Sequence, residues 1–288
     1  MSPRVFDLLM RDGSMSLDGV ADPPPKWPFS ELPVVVADDV SKWYWQHPQE
    51  TWDYNEDFGP LIPPFDAMWV QWRRPPMVVS DGERRMSACE DHVAYFKTTH
   101  TDDGPIVEAG IWVSVDGRGV IGYDSLCRFF LTPEGSIQQI PEGHKVIIDM
   151  GPAHLAAARS IWGDPHEAAH NFRGTFAVPF LTISLMHCKN VPVTEQSNMA
   201  NPRSRKKHRI PERTVTVVKV PAALRSGSGS RRDAVGEVQP LHLVRGHFKT
   251  YTEDAPLFGK HTGTYWWGWQ ARGTEEAGRR DHVYEVEA

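Results

Sequence analysis

Apolar and polar positions alternate along Phe65–Arg73 (FDAMWVQWR), with Met68, Val70 and Trp72 set against Trp69 and Gln71. A two-residue period is that of a β-strand. From about Met86 to Met150 the same signal recurs in short runs rich in β-branched and aromatic residues: His92–Thr98, Ile106–Val115, Val120–Tyr123, Ser125–Leu131 and Lys145–Asp149. The breaks between them carry turn chemistry at Thr101–Pro105 (TDDGP), Asp116–Gly119 (DGRG) and Thr132–Gly135 (TPEG). Short strands joined by such turns predict an antiparallel meander, and the glycines of DGRG supply the positive φ that a hairpin needs.

Elsewhere the period differs. Asp38 through Gln46 fits a helix presenting Trp43 and Trp45, within a first 65 residues that otherwise read as irregular and proline-rich. Pro152–Trp162 is alanine-rich and helical in character, and Asp164–Pro165 forms an N-cap and first-turn pair for another helix. Phe176–Asn190 is apolar on all sides, which predicts a buried helix. Arg213–Val220 (RTVTVVKV) alternates as a strand, and Arg225–Arg232 (RSGSGSRR) reads as a linker or long hairpin loop. There is no internal repeat. The expected fold class is α+β: largely antiparallel sheet with a few short helices and a C-terminal β module. The segments are 1–150, an acidic, aromatic-rich body; 151–200, helical; and 201–288, basic and β-rich; all three fit within one compact domain as well.

The last module concentrates the chemistry. As one strand, Leu241–Tyr251 puts Arg245, His247, Lys249 and Tyr251 on one face and His242, Val244 and Phe248 on the other. A second strand over Thr264–Arg272 puts Tyr265, Trp267 and Trp269 on one face and Trp266, Gln270 and Arg272 on the other. A strand face of cations is expensive to bury, so it meets solvent or an anion. Exposed aromatics beside Arg and Lys form a stacking platform for single-stranded bases. His247 and His261 are an acid/base pair for phosphodiester cleavage, if cleavage occurs, with Lys249 or Arg245 stabilising developing charge. Against this stands a plainer arrangement in which the tryptophans are core and the cations bridge to the acidic body.

Charge supports the first picture. Residues 1–200 hold 15 Lys and Arg against 27 Asp and Glu, whereas residues 201–288 hold 16 against 10. Arg203, Arg205, Lys206, Lys207 and Arg209 crowd into RSRKKHR, and Arg231 and Arg232 follow. Such a run neutralises phosphates, although alone it is most simply a solvated loop. His166, Glu167 and His170 (HEAAH) match the zinc-hydrolase pattern HExxH, with Glu195 or His187 as conceivable third ligands. Asp164–Pro165 would start the helix at the motif itself, so a solvent-facing helix start is preferred and no metal or cofactor is expected. Three scattered cysteines (Cys89, Cys127, Cys188) without a CxxC pair fit buried thiols in a reducing cytosol. The terminal YEVE has the ExE spacing of some ADP-ribosylating toxins without a companion arginine. No apolar run reaches the length of a membrane span, and the N-terminus lacks a secretory pattern.

Three stretches resemble segments of uncharacterised proteins encoded by bacteriophages and prophages. They are PPFDAMWVQW, the apolar helix running into CKNV and NPRSRKKHRIPERTVTVVKV, and HLVRGHFKTYTEDAPLFGKHTGTYWWGWQARG with its VRGHF/W hairpin. The resemblance implies a phage-like origin and a setting in the host cytoplasm; it implies no activity and no catalytic residues. The expectation is a phage-type accessory protein binding RNA or single-stranded DNA through Arg203, Arg205, Lys206, Lys207, Arg209, Arg245, Lys249, Tyr251 and Arg272. An inhibitor or regulator docking on a host or phage protein is the alternative, and a zinc hydrolase a distant third.

Overall fold

A computed structural model describes residues 4–15, 19, 21–26, 28–46, 58–75, 77–81, 84–88, 90–117, 119–122, 125–138, 146–152, 156, 175–197, 212–220, 240–244, 246–267, 270–272 and 274–279. Within 77–81, 84–88, 146–150, 240–244, 270–272 and 274–279, and at residue 125, the description is of the backbone alone.

The chain begins with helix α1 (Val5–Asp12), which buries Val5, Phe6, Leu8 and Leu9 along one side. Two short strands follow, β1 (Ser14–Met15) and β2 (Ala21–Asp22), then β3 (Val34–Val36) and helix α2 (Asp38–Trp45). Helix α2 lies where the sequence predicts it, with Trp43 buried and Trp45 exposed. Helix α1 and β3 fall in the stretch expected to be irregular.

The meander forms as expected. It comprises β4 (Ala67–Arg73), β7 (Glu90–Thr101), β8 (Gly104–Val115), β9 (Ile121–Gly122), β10 (Ser125–Phe130) and β11 (Val146–Met150); β5 (Met77–Asp81) and β6 (Arg84–Ala88) form a separate hairpin. At the DGRG turn Asp116 and Gly117 both take positive φ, 51° and 70°, and β8 pairs antiparallel with β9 beyond it. Helix α3 (Ala177–Met186) is buried on all sides and stops short of the predicted Asn190. Strands β12 (Val193–Ser197) and β13 (Thr214–Val218) come next.

Eleven of these strands form one mixed sheet, whose main path runs β12-β13-β3-β4-β7-β8-β9-β1-β2, with β10 on β8 and β11 on β10. Pairing is parallel at β13–β3, β3–β4 and β1–β9 and antiparallel elsewhere. Strand β4 explains how both faces are covered. Met68, Val70 and Trp72 enter a core with α2 and α3, whereas Trp69 enters a second core with Val5, Phe6, Leu8 and Leu9 of α1. Alternation thus survives in a strand buried on both sides. The sequence segments interleave: β13 completes the sheet beside β3, and Trp266 lies 5.6 Å from Trp43 in the first core.

The C-terminal module keeps the register of the predicted pair of strands, with His242 opposite Arg272 and Val244 opposite Gln270, then His247 opposite Trp267 and Tyr251 opposite Gly263. The first is described as β14 (Pro240–Val244) and β15 (His247–Tyr251). The second is described as β16 (Gly263–Trp267) and β17 (Gln270–Arg272). Strand β14 joins a small sheet with β17 and β18 (Thr274–Arg279), while β15 and β16 form their own hairpin. The helices predicted at Pro152–Trp162 and from Asp164, and the Arg225–Arg232 linker, lie wholly or largely outside the described residues.

Candidate functional site

The β15–β16 hairpin has an inner and an outer face. Its register pairs His247 with Trp267, Phe248 with Trp266, Lys249 with Tyr265, Thr250 with Thr264 and Tyr251 with Gly263. Residues directly opposite share a face. The inner face therefore carries Phe248 and Trp266, whose rings lie 4.5 Å apart, and the Thr250 and Thr264 hydroxyls, 2.9 Å apart. Trp266 is 1% exposed, so it is an anchor and not a ligand platform.

Two local features fix that anchor. Gly246 precedes β15 because a Cβ there would stand 2.7 Å from the Trp266 ring. Asn190, just beyond α3, uses its side-chain amide as a substitute strand neighbour. Its Nδ2 donates to Trp266 O at 2.7 Å, and its Oδ1 accepts from Trp266 N at 3.0 Å. The Lys189 N–H donates to Thr264 O at 2.9 Å, extending the same edge.

The outer face gathers His247, Lys249, Tyr251, Tyr265 and Trp267. His247 and Lys249 are exposed and the three aromatics are half-buried. The Tyr251 and Tyr265 rings meet edge to face at 5.8 Å, and Lys249 Nζ lies 5.0 Å from the Tyr251 ring centroid. Sequence reasoning missed a further cation. Gly263 has no side chain on this face, and a Cβ there would lie 3.1 Å from Cε of Lys189. The Lys189 stem thus fills the vacant outer position opposite Tyr251. Its signal was present only as a lysine following a buried helix, with nothing local to aim it at the hairpin.

Not all predicted site residues come together. His247 pairs with Trp267 at one end of the hairpin; His261 lies in the loop at the other end, bridged to Leu257. Four rungs separate the two ends, about 13 Å along the strand, so these histidines do not form an acid/base pair across one phosphodiester. Arg272 stands opposite His242 in the same antiparallel register that sets His247 opposite Trp267. Arg272 has only its backbone described, in β17 beside β14. Arg203, Arg205, Lys206, Lys207, Arg209, Arg245, His166, Glu167, His170 and Trp269 lie outside the described residues, as does the YEVE terminus.

Among the described residues no group of three His, Cys, Asp or Glu side chains is placed to hold a metal. His187 instead places Nε2 2.8 Å from Ile62 O, and Glu195 stands on exposed β12. Cys188 is core: burial pushes its thiol up to about 12, and Sγ–H donates to Ser184 O.

A second polar cluster joins α1, α2 and the ends of β4 and β7. The Arg4 guanidinium donates to both Asp38 oxygens at 2.8 and 2.9 Å and through Nε to Asp91 at 2.9 Å. Asp38 also accepts from the Arg73 N–H and Asp91 from the Val5 N–H. Burial opposes the Arg4 charge, but Asp91 and Asp38 outweigh it and raise its pKa. Asp7, raised by burial, faces Arg213 at 3.8 Å. Nearby, Glu90 accepts from His92 at 3.2 Å and Arg74 at 3.1 Å. Between Arg4, Asp38 and Asp91 the guanidinium donors and carboxylate acceptors are matched, so this group is a structural clamp.

No helix among the described residues is long and apolar enough to cross a membrane. Comparisons with protein-family models, with curated proteins and with solved structures find no match to this chain.

Proposed function

We propose that this protein binds single-stranded nucleic acid, RNA or DNA, on the outer face of the β15–β16 hairpin. The observation that carries the reading is the combination on that face of His247, Lys249 and Lys189 with Tyr251, Tyr265 and Trp267. Aromatic surfaces stack on bases without regard to sequence, and ammonium groups pair with the backbone phosphates. The excess of Lys and Arg after residue 200, including Arg203–Arg209, supplies charge in the same module. Cleavage is not part of the proposal, because the hairpin separates His247 from His261. The resemblance to phage-encoded proteins supports an accessory role in the cytoplasm of a bacterial host.

Fluorescence anisotropy with labelled dT20 and U20 oligonucleotides across a salt series tests it. Lys249→Ala and the pair Lys206→Ala/Lys207→Ala should each weaken binding and flatten its salt dependence, by a slope of roughly 0.7 for each phosphate no longer neutralised. Binding that ignores salt in the unaltered protein would remove the phosphate pairing from the reading. A second reading draws on Glu253 and Asp254, exposed at the start of the hairpin loop, which offset its cations. Such a mixed surface suits an inhibitor or regulator docking on a protein. Capture of a defined protein partner that survives nuclease treatment, together with no affinity for either oligonucleotide, would favour it.

A further inference from the structure

We infer that Phe258, at the tip of the hairpin loop, is a wedge that stacks against an unpaired base; this rests on the nucleic-acid reading of the adjoining face. Phe258 and Gly259 take consecutive positive φ values, 52° and 75°, and the Lys260 N–H donates to Leu257 O at 3.2 Å. That is the φ pattern of a type I′ turn, whose first central position favours Asn, Asp or Gly. Phe is a poor choice there, because its Cβ crowds the backbone in the left-handed region.

Burial does not compensate. Phe258 is 75% exposed, more than any other large hydrophobic residue among those described. The ring therefore gives the fold neither a favourable backbone nor much buried area. Its position is nonetheless held. Leu257 and His261 exchange main-chain hydrogen bonds at 2.8 and 3.0 Å, and the Gly259 N–H donates to Pro256 O at 3.1 Å. A strained, exposed aromatic on a pinned turn is arranged for a ligand.

Charge around the tip indicates how that ligand lies. Glu253 and Asp254 are on the arm leaving β15, whereas Lys260 and His261 are on the arm entering β16. Phosphates are drawn to the second arm. Along it, Tyr265 and Trp267 share the outer face about 7 Å apart. A strand laid over Trp267 and Tyr265 continues past His261 and Lys260 to reach Phe258. An apolar ring there inserts between or caps the bases, as wedge side chains do in other nucleic-acid complexes.

The test compares the unaltered protein with Phe258→Asn, a residue suited to the turn, on two labelled 20-mers: dT20 and an abasic strand with the same backbone. Phe258→Asn should bind dT20 roughly 5- to 100-fold more weakly, bind the abasic strand as the unaltered protein does, and melt at an equal or higher temperature. Equal weakening on both strands, or a lower melting temperature, would show that the ring supports the loop itself and overturn the wedge. Normal dT20 binding by Phe258→Asn alongside a deficit in Lys249→Ala overturns the wedge and leaves the face reading standing. Absence of dT20 binding by the unaltered protein overturns both.

Discussion

Asn190 grips Trp266 by both of its main-chain groups, donating to the carbonyl at 2.7 Å and accepting from the N–H at 3.0 Å. A residue at the end of the helical segment thus sets the height of the hairpin against the core. Asn190→Ala removes both bonds and leaves half-buried polar groups to find other partners. It should cost about 1–3 kcal/mol, read as a lower urea midpoint with an altered near-ultraviolet tryptophan signal. Unchanged stability would mean that ring packing alone seats Trp266.

Gly246→Ala tests the same seat from the other side. Its Cβ would intrude on the Trp266 ring, which is pinned between Phe248 and Trp43. Overpacking of this kind should destabilise by roughly 1–3 kcal/mol. Gly59→Ala is a useful comparison, since its Cβ would stand 2.9 Å from the edge of the Phe248 ring, which is only partly buried and better able to give way. Urea unfolding should rank Gly246→Ala as the more damaging change.

Arg4 is expected to matter well beyond its place near the chain start. Arg4→Ala leaves the buried Asp91 carboxylate and Asp38 without the cation that bridges them. Removing one partner of a buried ion pair typically costs about 3–5 kcal/mol. Arg4→Lys should rescue little, because an ammonium cannot reproduce the fork that engages two carboxylates together. Denaturant curves for both variants, with hydrogen exchange at α1 as a local reporter, decide the point.

Acid stability has a specific source in Glu90. Its hydrogen bond with His92, then the charges of His92 and Arg74, outweigh partial burial and hold its carboxyl down at about 2. A folded-state value below the unfolded one contributes stability at higher pH and loses it as the pH falls. The loss should run from near the ordinary value of 4.5 down to about 2. Glu90→Gln should lack that part of the acid limb and differ least from the unaltered protein once the pH is below 2. Equilibrium unfolding between pH 6 and 2 measures it; parallel curves for the two proteins would dissociate Glu90 from acid sensitivity.

What was legible in the sequence is what rests on local periodicity and turn chemistry. The alternation in β4, the DGRG turn and the apolar run of α3 each carry their instruction within a few residues. Helix α1 was missed, although its buried Val5, Phe6, Leu8 and Leu9 follow a helical spacing. The Arg4–Asp38–Asp91 clamp was hidden: its members are far apart in the chain and meet only through the sheet. At the hairpin, alternation gave the faces correctly, placing His247, Lys249 and Tyr251 together and Trp266 opposite. Lys189 reached the outer face through tertiary packing over Gly263, which no linear pattern encodes.

The parallel seam between β13 and β3 has a consequence for synthesis on the ribosome. Val34–Val36 and Thr214–Val218 are separated by most of the chain, so the seam cannot close until the later strand has emerged. Until then a nascent chain carries three consecutive valines along an open sheet border, a template for pairing with other chains. Strand β13 seals that border, and β12, exposed throughout and reading Val-Thr-Glu-Gln-Ser, replaces it with a more polar rim. Truncation before residue 214 would therefore leave a sticky intermediate, a body lacking its last plank.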